Sequence, residues 1–585
     1  MKKSLVSMLL VLCLLLTLLA PALAEISVTP MSEVDTENFT IDWSDPLNSL
    51  IFGMYSHELT MQDDSTRTLY QYIPTTWRYA QPEVAVAVPS GEDPIAFFEN
   101  TGWKDAAEKG PFAVVLMTAE DWTDQDEYVA AAYKFMNDRA NVRTLKVAFY
   151  MVGYGDSANA VMKFAMTNND TLAGVAAFGV DSFDNSLIEL GKTTDTALAG
   201  VKKCDVPVPM WIGVEEKTAN AEELINYWKA VDQVSDQKFS NDFADEIYFY
   251  PAYKSTTFEK TYQNIASVYV TEGLEDVCTP AFTDNLYFNF LGRVRRTYSQ
   301  TIRPLQYYAT TEELGYDHYT FELNGVTREY WVYVPTAVKS SGEKAPLVLM
   351  GHGGGDSGEE LIQYTSWYKA AEEKGFIVVN LMGSRAGTSF AASTTWAPAD
   401  VEYVLNVREA VIANYPVDLT RVYMTGHSMG SLLTHYTVFQ YPELFAAACG
   451  NDAYLAFDRM VDSIGGEENY HDDVMIPFMI NAGTEDQNFK EGGQCYKIMD
   501  EYIAVWCDRY GLDVNQSYNY KNGLNFGSQY LNSQGVPMFV FQWNEGKIHC
   551  MDSEDPYAIW DFLCNFSRGE DGTAYYMGVE IKLDK

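Results

Sequence analysis

The sequence predicts an α/β protein built from two tandem, doubly wound, mostly parallel sheets. Two observations carry this: the chain repeats itself, and short apolar runs alternate with helical stretches within each copy. "LYQYIPTTWR" (69–78) resembles "YWVYVPTAVK" (330–339), each an alternating strand pattern that closes on Pro-Thr. "GWKDAAEKGPFAVVLM" resembles "SWYKAAEEKGFIVVNLM", pairing Trp103 with Trp367 and Phe112 with Phe376. "GVAAFGVD" resembles "FAAACGND", pairing Gly179 with Gly450 and Asp181 with Asp452. "VPVPMWIGVEE" resembles "VMIPFMINAGTED", pairing Pro207 with Pro477 and Gly213 with Gly483. "VCTPAFTDNLYFNFLGRVRR" resembles "HCMDSEDPYAIWDFLCNFSR", pairing Cys278 with Cys550 and Phe290 with Phe562. The offsets of 261, 264, 271, 270 and 272 are ordered and nearly constant, as a tandem duplication over about 50–300 and 305–585 requires.

Within the second copy "APLVLMGH", "GFIVVNLM", "RVYMTGH" and "IPFMINAG" read as buried parallel strands, short, apolar on both faces and ending at Gly or a polar turn. Between them "DVEYVLNVREAVIANYP" places Val401, Val404, Leu405 and Val411 at helical spacing, with Asp400 as N-cap and Pro416 beyond the end. Strand, crossover helix, strand is the doubly wound plan, whose ligands bind at the carboxyl ends of the strands.

The chain opens with "MKKSLVSMLLVLCLLLTLLAPALA", two lysines, an apolar run and a small-residue cleavage site, so residues 1–24 read as a secretory signal. No cysteine stands at the cleavage point and no later apolar run reaches the ~20 residues of a spanning helix. The expected product is secreted, without a stable membrane anchor, with domains over 25–300 and 301–585. Its formal net charge of -41 excludes nucleic acid and anionic lipid surfaces as partners. Seven of the eight cysteines lie beyond the signal, an odd number with no metal-knuckle spacing. Cys550, next to a histidine of interest, is expected in a disulfide within its own copy, with Cys495 or Cys507 as the partner type.

"RVYMTGHSMGSLLTHYTVFQ" holds a Gly-x-Ser-x-Gly between a strand and a helix, the context in which Ser428 is an exposed nucleophile at a sharp turn. A hydroxyl needs a base, and of the seven histidines only His549, in "NEGKIHCMD", follows position 471. The acid comes from "MINAGTEDQNF", where Asp486 stands beyond a strand, with Glu485 as its rival. "LVLMGHGGGDSG" supplies an oxyanion turn, the N–H groups of Gly353 or Gly354 acting with that of Met429. His352 reads as a structural turn residue, His435 as a packed core residue, and "YHDDV" (470–474) as an exposed acidic turn rather than a metal site. Trp367 and Trp396 are candidates to face the pocket.

"REYWVYVPT", "GHGGGDSG", "DVEYV", "RVYMTGHSMGSLLTHYTVFQYPELFAAA", "NAGTEDQ" and "GKIHC" together resemble the α/β-hydrolase esterases grouped as feruloyl esterases and polyhydroxybutyrate-depolymerase-like enzymes, over about 320–566. By this resemblance Ser428, Asp486 and His549 take the family's triad places in a secreted serine carboxylic ester hydrolase, acting on feruloyl, other plant cell-wall or polyester-type esters. The substrate is a small-molecule or polymer ester, and no cofactor or metal is implied. Two departures bear on the substrate: Cys-Met follows the histidine, where an aromatic is frequent, and no carbohydrate- or polymer-binding module is evident.

The first copy reads as a degenerate, non-catalytic α/β-hydrolase-like domain. Carrying the offsets back puts Ser157 opposite Ser428, Glu216 opposite Asp486, Val277 opposite His549, and Pro89, which has no N–H, in the oxyanion turn. Two rival readings remain at this point. One is a secreted serine peptidase of the same fold. The other is a non-catalytic glycan-binding envelope protein, suggested by the damaged first copy and many tyrosines.

Overall fold

A computed structural model describes residues 28–30, 52–77, 81–137, 144–196, 200–250, 265–296, 305–386 and 393–582. The expected signal segment, 1–24, lies outside the described residues. In the first half the strands are β1 (Val28–Pro30), β2 (Gly53–Thr60), β3 (Thr66–Ile73), β4 (Gln81–Ala87), β5 (Ala113–Met117), β6 (Thr144–Tyr154), β7 (Gly174–Phe178), β8 (Met210–Val214), β9 (Glu246–Phe249) and β10 (Ser267–Glu272). They form one sheet in the order β1-β2-β3-β5-β4-β6-β7-β8-β10-β9. A two-stranded ribbon, β11 (Val294–Arg296) with β12 (Leu305–Tyr307), leads into the second half.

There the strands are β13 (Tyr316–Leu323), β14 (Val326–Tyr333), β15 (Ala345–Gly351), β16 (Ile377–Leu381), β17 (Ser384–Ala386), β18 (Ser393–Thr395), β19 (Val417–His427), β20 (Ala447–Asn451), β21 (Phe478–Gly483), β22 (Ser517–Asn522), β23 (Asn525–Leu531) and β24 (Pro537–Asn544). Leaving out the β17–β18 ribbon, they form a sheet in the order β13-β14-β16-β15-β19-β20-β21-β24-β23-β22. With β1 and β22 set aside, the two orders coincide strand for strand. In both, the middle pairs are parallel and the flanking pairs antiparallel.

The four strands read from the second copy are β15, β16, β19 and β21, and all but the leading end of β19 are buried, as runs apolar on both faces must be. Helix α2 (Val401–Asn414) follows the predicted spacing, with Val401, Val404 and Val411 buried; α1 (Ser157–Asn168) and α3 (Met429–Gln440) follow β6 and β19. Asp400 stands at the N-cap but makes no cap hydrogen bond. Its carboxylate instead accepts from Arg328 at 2.9 Å and from the Ala397 N–H, because a buried guanidinium needs an anion more than a helix end needs a cap.

Tertiary details recur as well. Trp103 meets Phe112 edge-on at 6.2 Å, and Trp367 meets Phe376 edge-on at 6.2 Å. Tyr150 donates to the Val294 carbonyl and Tyr423 to that of Phe566, both at 2.7 Å. The buried Arg296 guanidinium donates to three backbone carbonyls, and Arg568 does the same 272 residues later. Trp367 therefore belongs to the core, not to a pocket wall.

The expected disulfide at Cys550 is absent: the seven cysteines among the described residues are all free thiols. Cys449, Cys495, Cys507 and Cys550 are buried and act as small apolar fillers. Among the described residues no helix is long and apolar enough to cross a membrane.

Candidate active site

Strand β19 runs unbroken to His427, and α3 begins at Met429, which leaves Ser428 alone to turn the chain. It does so at φ 52, a left-handed conformation costly for any residue with a Cβ. The flanking glycines are dictated by space. A Cβ on Gly426 would lie 2.2 Å from the Gly430 carbonyl oxygen, and one on Gly430 would lie 2.2 Å from that of Gly351. The turn is fixed further by the Ser428 N–H, which donates to the Asn451 carbonyl at 2.8 Å. The Ser428 hydroxyl is left half-buried, within reach of solvent.

The acid arrives on the loop after β21. Asp486 is fully buried, accepts from the Asn488 N–H at 2.8 Å, and holds His549 Nδ1 at 2.9 Å. Glu485, the rival, points outward and pairs with Lys490. His549 Nε2 stands 2.8 Å from Ser428 Oγ. A Nδ1–H bound to the Asp486 carboxylate leaves Nε2 as the acceptor for the serine proton, the tautomer that proton abstraction needs. Burial pulls the His549 pKa down, but the hydrogen bond and charge of Asp486 outweigh it and hold the imidazole above its ordinary 6.5. Three sequence-predicted residues, 121 positions apart at the extremes, thus meet in one hydrogen-bonded line.

The glycine turn after β15 lies over the start of α3: a Cβ on Gly354 would be 2.9 Å from Met429 Cγ. Among the described residues the N–H groups of Gly353, Gly354 and Met429 have no internal acceptor, so they are available to an oxygen beside Ser428. His352 is the turn residue expected, its Nδ1 2.7 Å from the Gly353 carbonyl oxygen and its Nε2 accepting from the Gly383 N–H at 2.8 Å. Trp396, expected at the pocket, is buried and donates its indole N–H to the His352 carbonyl at 2.8 Å; it braces the turn from behind. His435 is core, bonded to Ser431 and Tyr502. Residues 471–473 are exposed, and no metal-binding cluster occurs among the described residues.

Sequence reasoning missed a row of buried charges behind the triad. His427, 5 % exposed, lies 3.6 Å from Asp452 and 4.0 Å from Asp356, its ring 5.1 Å from that of His549. Burial pulls the His427 pKa well below 6.5. Lys547 bridges Asp452 and Asp555. The only signal in the sequence was the crowding of charged residues within a few positions of His549.

The counterpart in the first sheet differs from expectation at one point. Strand β6 matches β19 at an offset of 273, which places Gly155, not Ser157, where Ser428 stands. Gly155 has φ 56, and its N–H donates to the Phe178 carbonyl at 2.8 Å, as Ser428 does to Asn451. Ser157 occupies the place of Gly430. It is fully buried; its hydroxyl stands 2.7 Å from both the Ala87 and the Tyr154 carbonyl, either of which can take its proton, and accepts the Tyr154 N–H at 3.0 Å. The expectation erred because its offset came from a segment downstream, beyond loops of unequal length. Pro89 falls opposite Gly353, and the Asp156 carboxylate is bonded to Ser90 beside it. Val277 is buried and Glu216 is exposed.

Residues 362–465, around the elbow, match the model of the prolyl oligopeptidase family, Peptidase_S9. The chain is 28% identical over 252 residues to the bifunctional acetylxylan esterase/xylanase of Neocallimastix patriciarum, covering 42% of this chain and 34% of that protein. It is 28% identical over 124 residues to feruloyl esterase B of Talaromyces funiculosus, covering 20% of this chain and 34% of that one. The chain thus spans about a third of the length of these relatives. Among solved structures it is similar to the acetyl xylan esterase from Aspergillus awamori, with 15% identity and a TM-score of 0.33, covering 42% of this chain and 99% of that one. The strand order and the strand-to-helix elbow are those of an α/β-hydrolase fold, and the chain has acetylxylan and feruloyl esterases among its sequence relatives.

Proposed function

We propose that the chain is an exported serine carboxylic ester hydrolase whose chemistry resides in the second sheet domain. The observation that carries the reading is the line of two hydrogen bonds from Asp486 through His549 to Ser428, at the carboxyl ends of β19, β21 and β24. Ser428 Oγ attacks the acyl carbon while its proton passes to His549 Nε2, and the new oxyanion is held by the N–H groups of Met429 and Gly353 or Gly354. Collapse breaks the bond to the alcohol oxygen, which leaves with the proton from Nε2. Water then attacks the acyl-enzyme by the same route and frees the acid and Ser428. Asp486 stays ionised and stabilises the imidazolium formed in each step.

The substrate class proposed is acetyl or hydroxycinnamoyl esters of plant cell-wall polysaccharide, as for the acetylxylan and feruloyl esterases among the relatives. A panel of acetylated xylan, methyl ferulate, short-chain nitrophenyl esters and polyhydroxybutyrate tests it. Turnover of acetylated xylan or methyl ferulate well above the polyester is expected; hydrolysis of the polyester alone would remove the cell-wall reading.

The first sheet, over about 25–300, is in this reading a duplicated and non-catalytic copy. Supporting it are the shared strand order, the paired Arg296 and Arg568 anchors, and a glycine at the nucleophile's place. A second reading, a serine peptidase, is favoured by the prolyl oligopeptidase match at 362–465. An aminoacyl arylamide and an aryl ester of matched leaving group, assayed side by side, separate the two.

A further inference from the structure

The His549 loop runs from the end of β24 to α4 (Asp555–Leu563), and main-chain bonds hold part of it, among them the Gly546 N–H to the Thr484 hydroxyl at 2.9 Å and the Cys550 N–H to the Ile548 carbonyl at 2.8 Å. One charged side chain ties it down. Lys547 Nζ is 3.1 Å from Asp452 Oδ2 and 3.0 Å from Asp555 Oδ2, with all three side chains at or below 1% exposure. Each partner belongs to a different part of the site. Asp452 follows β20 at φ 60, and its other oxygen accepts the Gly483 N–H, at the end of the strand that leads to Asp486. Asp555 opens α4 and accepts from Asn481 at 2.7 Å and from the Asp552 N–H at 2.9 Å. The Lys547 carbonyl accepts the Glu485 N–H at 2.8 Å, one residue from the acid. The acid and histidine loops also touch so closely that a Cβ on Gly483 would sit 2.0 Å from that carbonyl.

Resting on the triad reading above, we infer that Lys547 is a positioning residue: it clamps the His549 loop onto the acid strand and balances the buried Asp452 and Asp555 carboxylates. Without its ammonium, the buried Asp452 and Asp555 keep hydrogen bonds but lose the cation between them; burial already raises the Asp452 pKa to about 7, and the His549 loop loses its charged tie to the acid strand. The groups that face His549 are Asp486 from the acid loop, Asp452 from the end of β20, His427 from β19, and Lys547 in its own loop, with Asp552 acting on Lys547. Asp356 lies beyond His427, and Asp555 beyond Lys547. Asp452 favours the imidazolium and Lys547 opposes it, so removing either moves the base in a known direction. Burial works against a charged Lys547, but the two carboxylates outweigh it and hold the ammonium firmly protonated.

The test is the pH dependence of kcat/KM on a nitrophenyl ester for the full chain and for Lys547→Met and Asp452→Asn. Lys547→Met should lower kcat by about 100-fold with KM within about threefold, since a misplaced base costs the chemical step and not binding. Its acid limb should move up by about half a pH unit or more, and that of Asp452→Asn should move down. If Lys547→Met does not fold, Asp452→Asn decides alone, because its ammonium still has Asp555. Limbs that stay at the wild-type position in the folded variants, with activity falling only in step with the folded fraction, would overturn the inference. Failure of the triad reading looks different: wild type itself would then show no acid limb.

Discussion

Ser428, His549 and Asp486 are linked by hydrogen bonds of 2.8 and 2.9 Å, and removing any one should cost the chemical step rather than the fold. Ser428→Ala and His549→Ala are expected to lower kcat by ~10⁴–10⁶, and Asp486→Asn somewhat less. Circular dichroism and thermal melts should stay close to wild type, because Ser428 and His549 are only half-buried and Asn fills the buried place of Asp486 without a change of volume. The pH profile follows from the same geometry. Only the neutral imidazole accepts the serine proton, so activity should be absent below the His549 pKa and rise through it. Since Asp486 raises that pKa, the midpoint should fall above the ordinary 6.5 in wild type and drop in Asp486→Asn. A midpoint unchanged in Asp486→Asn would count against that pairing. At this scale the serine and the histidine were legible in the sequence, one from its strand-to-helix setting and one by elimination. Asp486 was preferred over its neighbour Glu485 in the sequence, but Glu485 stayed a rival there, because only burial separates neighbours on a loop.

At the scale of elements, the site depends on how closely β15, β19 and α3 approach. Gly426 and Gly430 face backbone oxygens at 2.2 Å from where a Cβ would stand, and backbone cannot swing aside as a long side chain can. Gly426→Ala should therefore destabilise the fold by about 3 kcal/mol, a cost set by overpacking rather than by lost chemistry. Urea unfolding measures it directly, and a change below about 0.5 kcal/mol would mean the close approach is not real. Strand identity was readable from apolar runs, and α2 from its valine spacing. Register between the copies was not. Strands keep their length while the loops between them drift, so an offset carried from a distant segment missed by two residues and landed on Ser157 instead of Gly155. The buried Lys547 cluster was equally hidden, since Asp452 comes from a stretch far from the one that holds Lys547 and Asp555.

Across the whole molecule, two sheets share one strand order, and the hydrogen-bonded line of Asp486, His549 and Ser428 lies in the second. The first has glycine at the elbow, Pro89 in the oxyanion turn and no histidine opposite His549. Ser157→Ala should leave kcat/KM within about twofold of wild type and cost only ~1 kcal/mol, the loss of one buried hydroxyl's hydrogen bonds. Labelling by a fluorophosphonate followed by peptide mapping tests whether Ser428 is the nucleophile and the first copy does no chemistry. One label per chain is expected, on the peptide that contains Ser428, and none on Ser428→Ala. A label on any peptide of the first copy, or labelling that survives in Ser428→Ala, would contradict it.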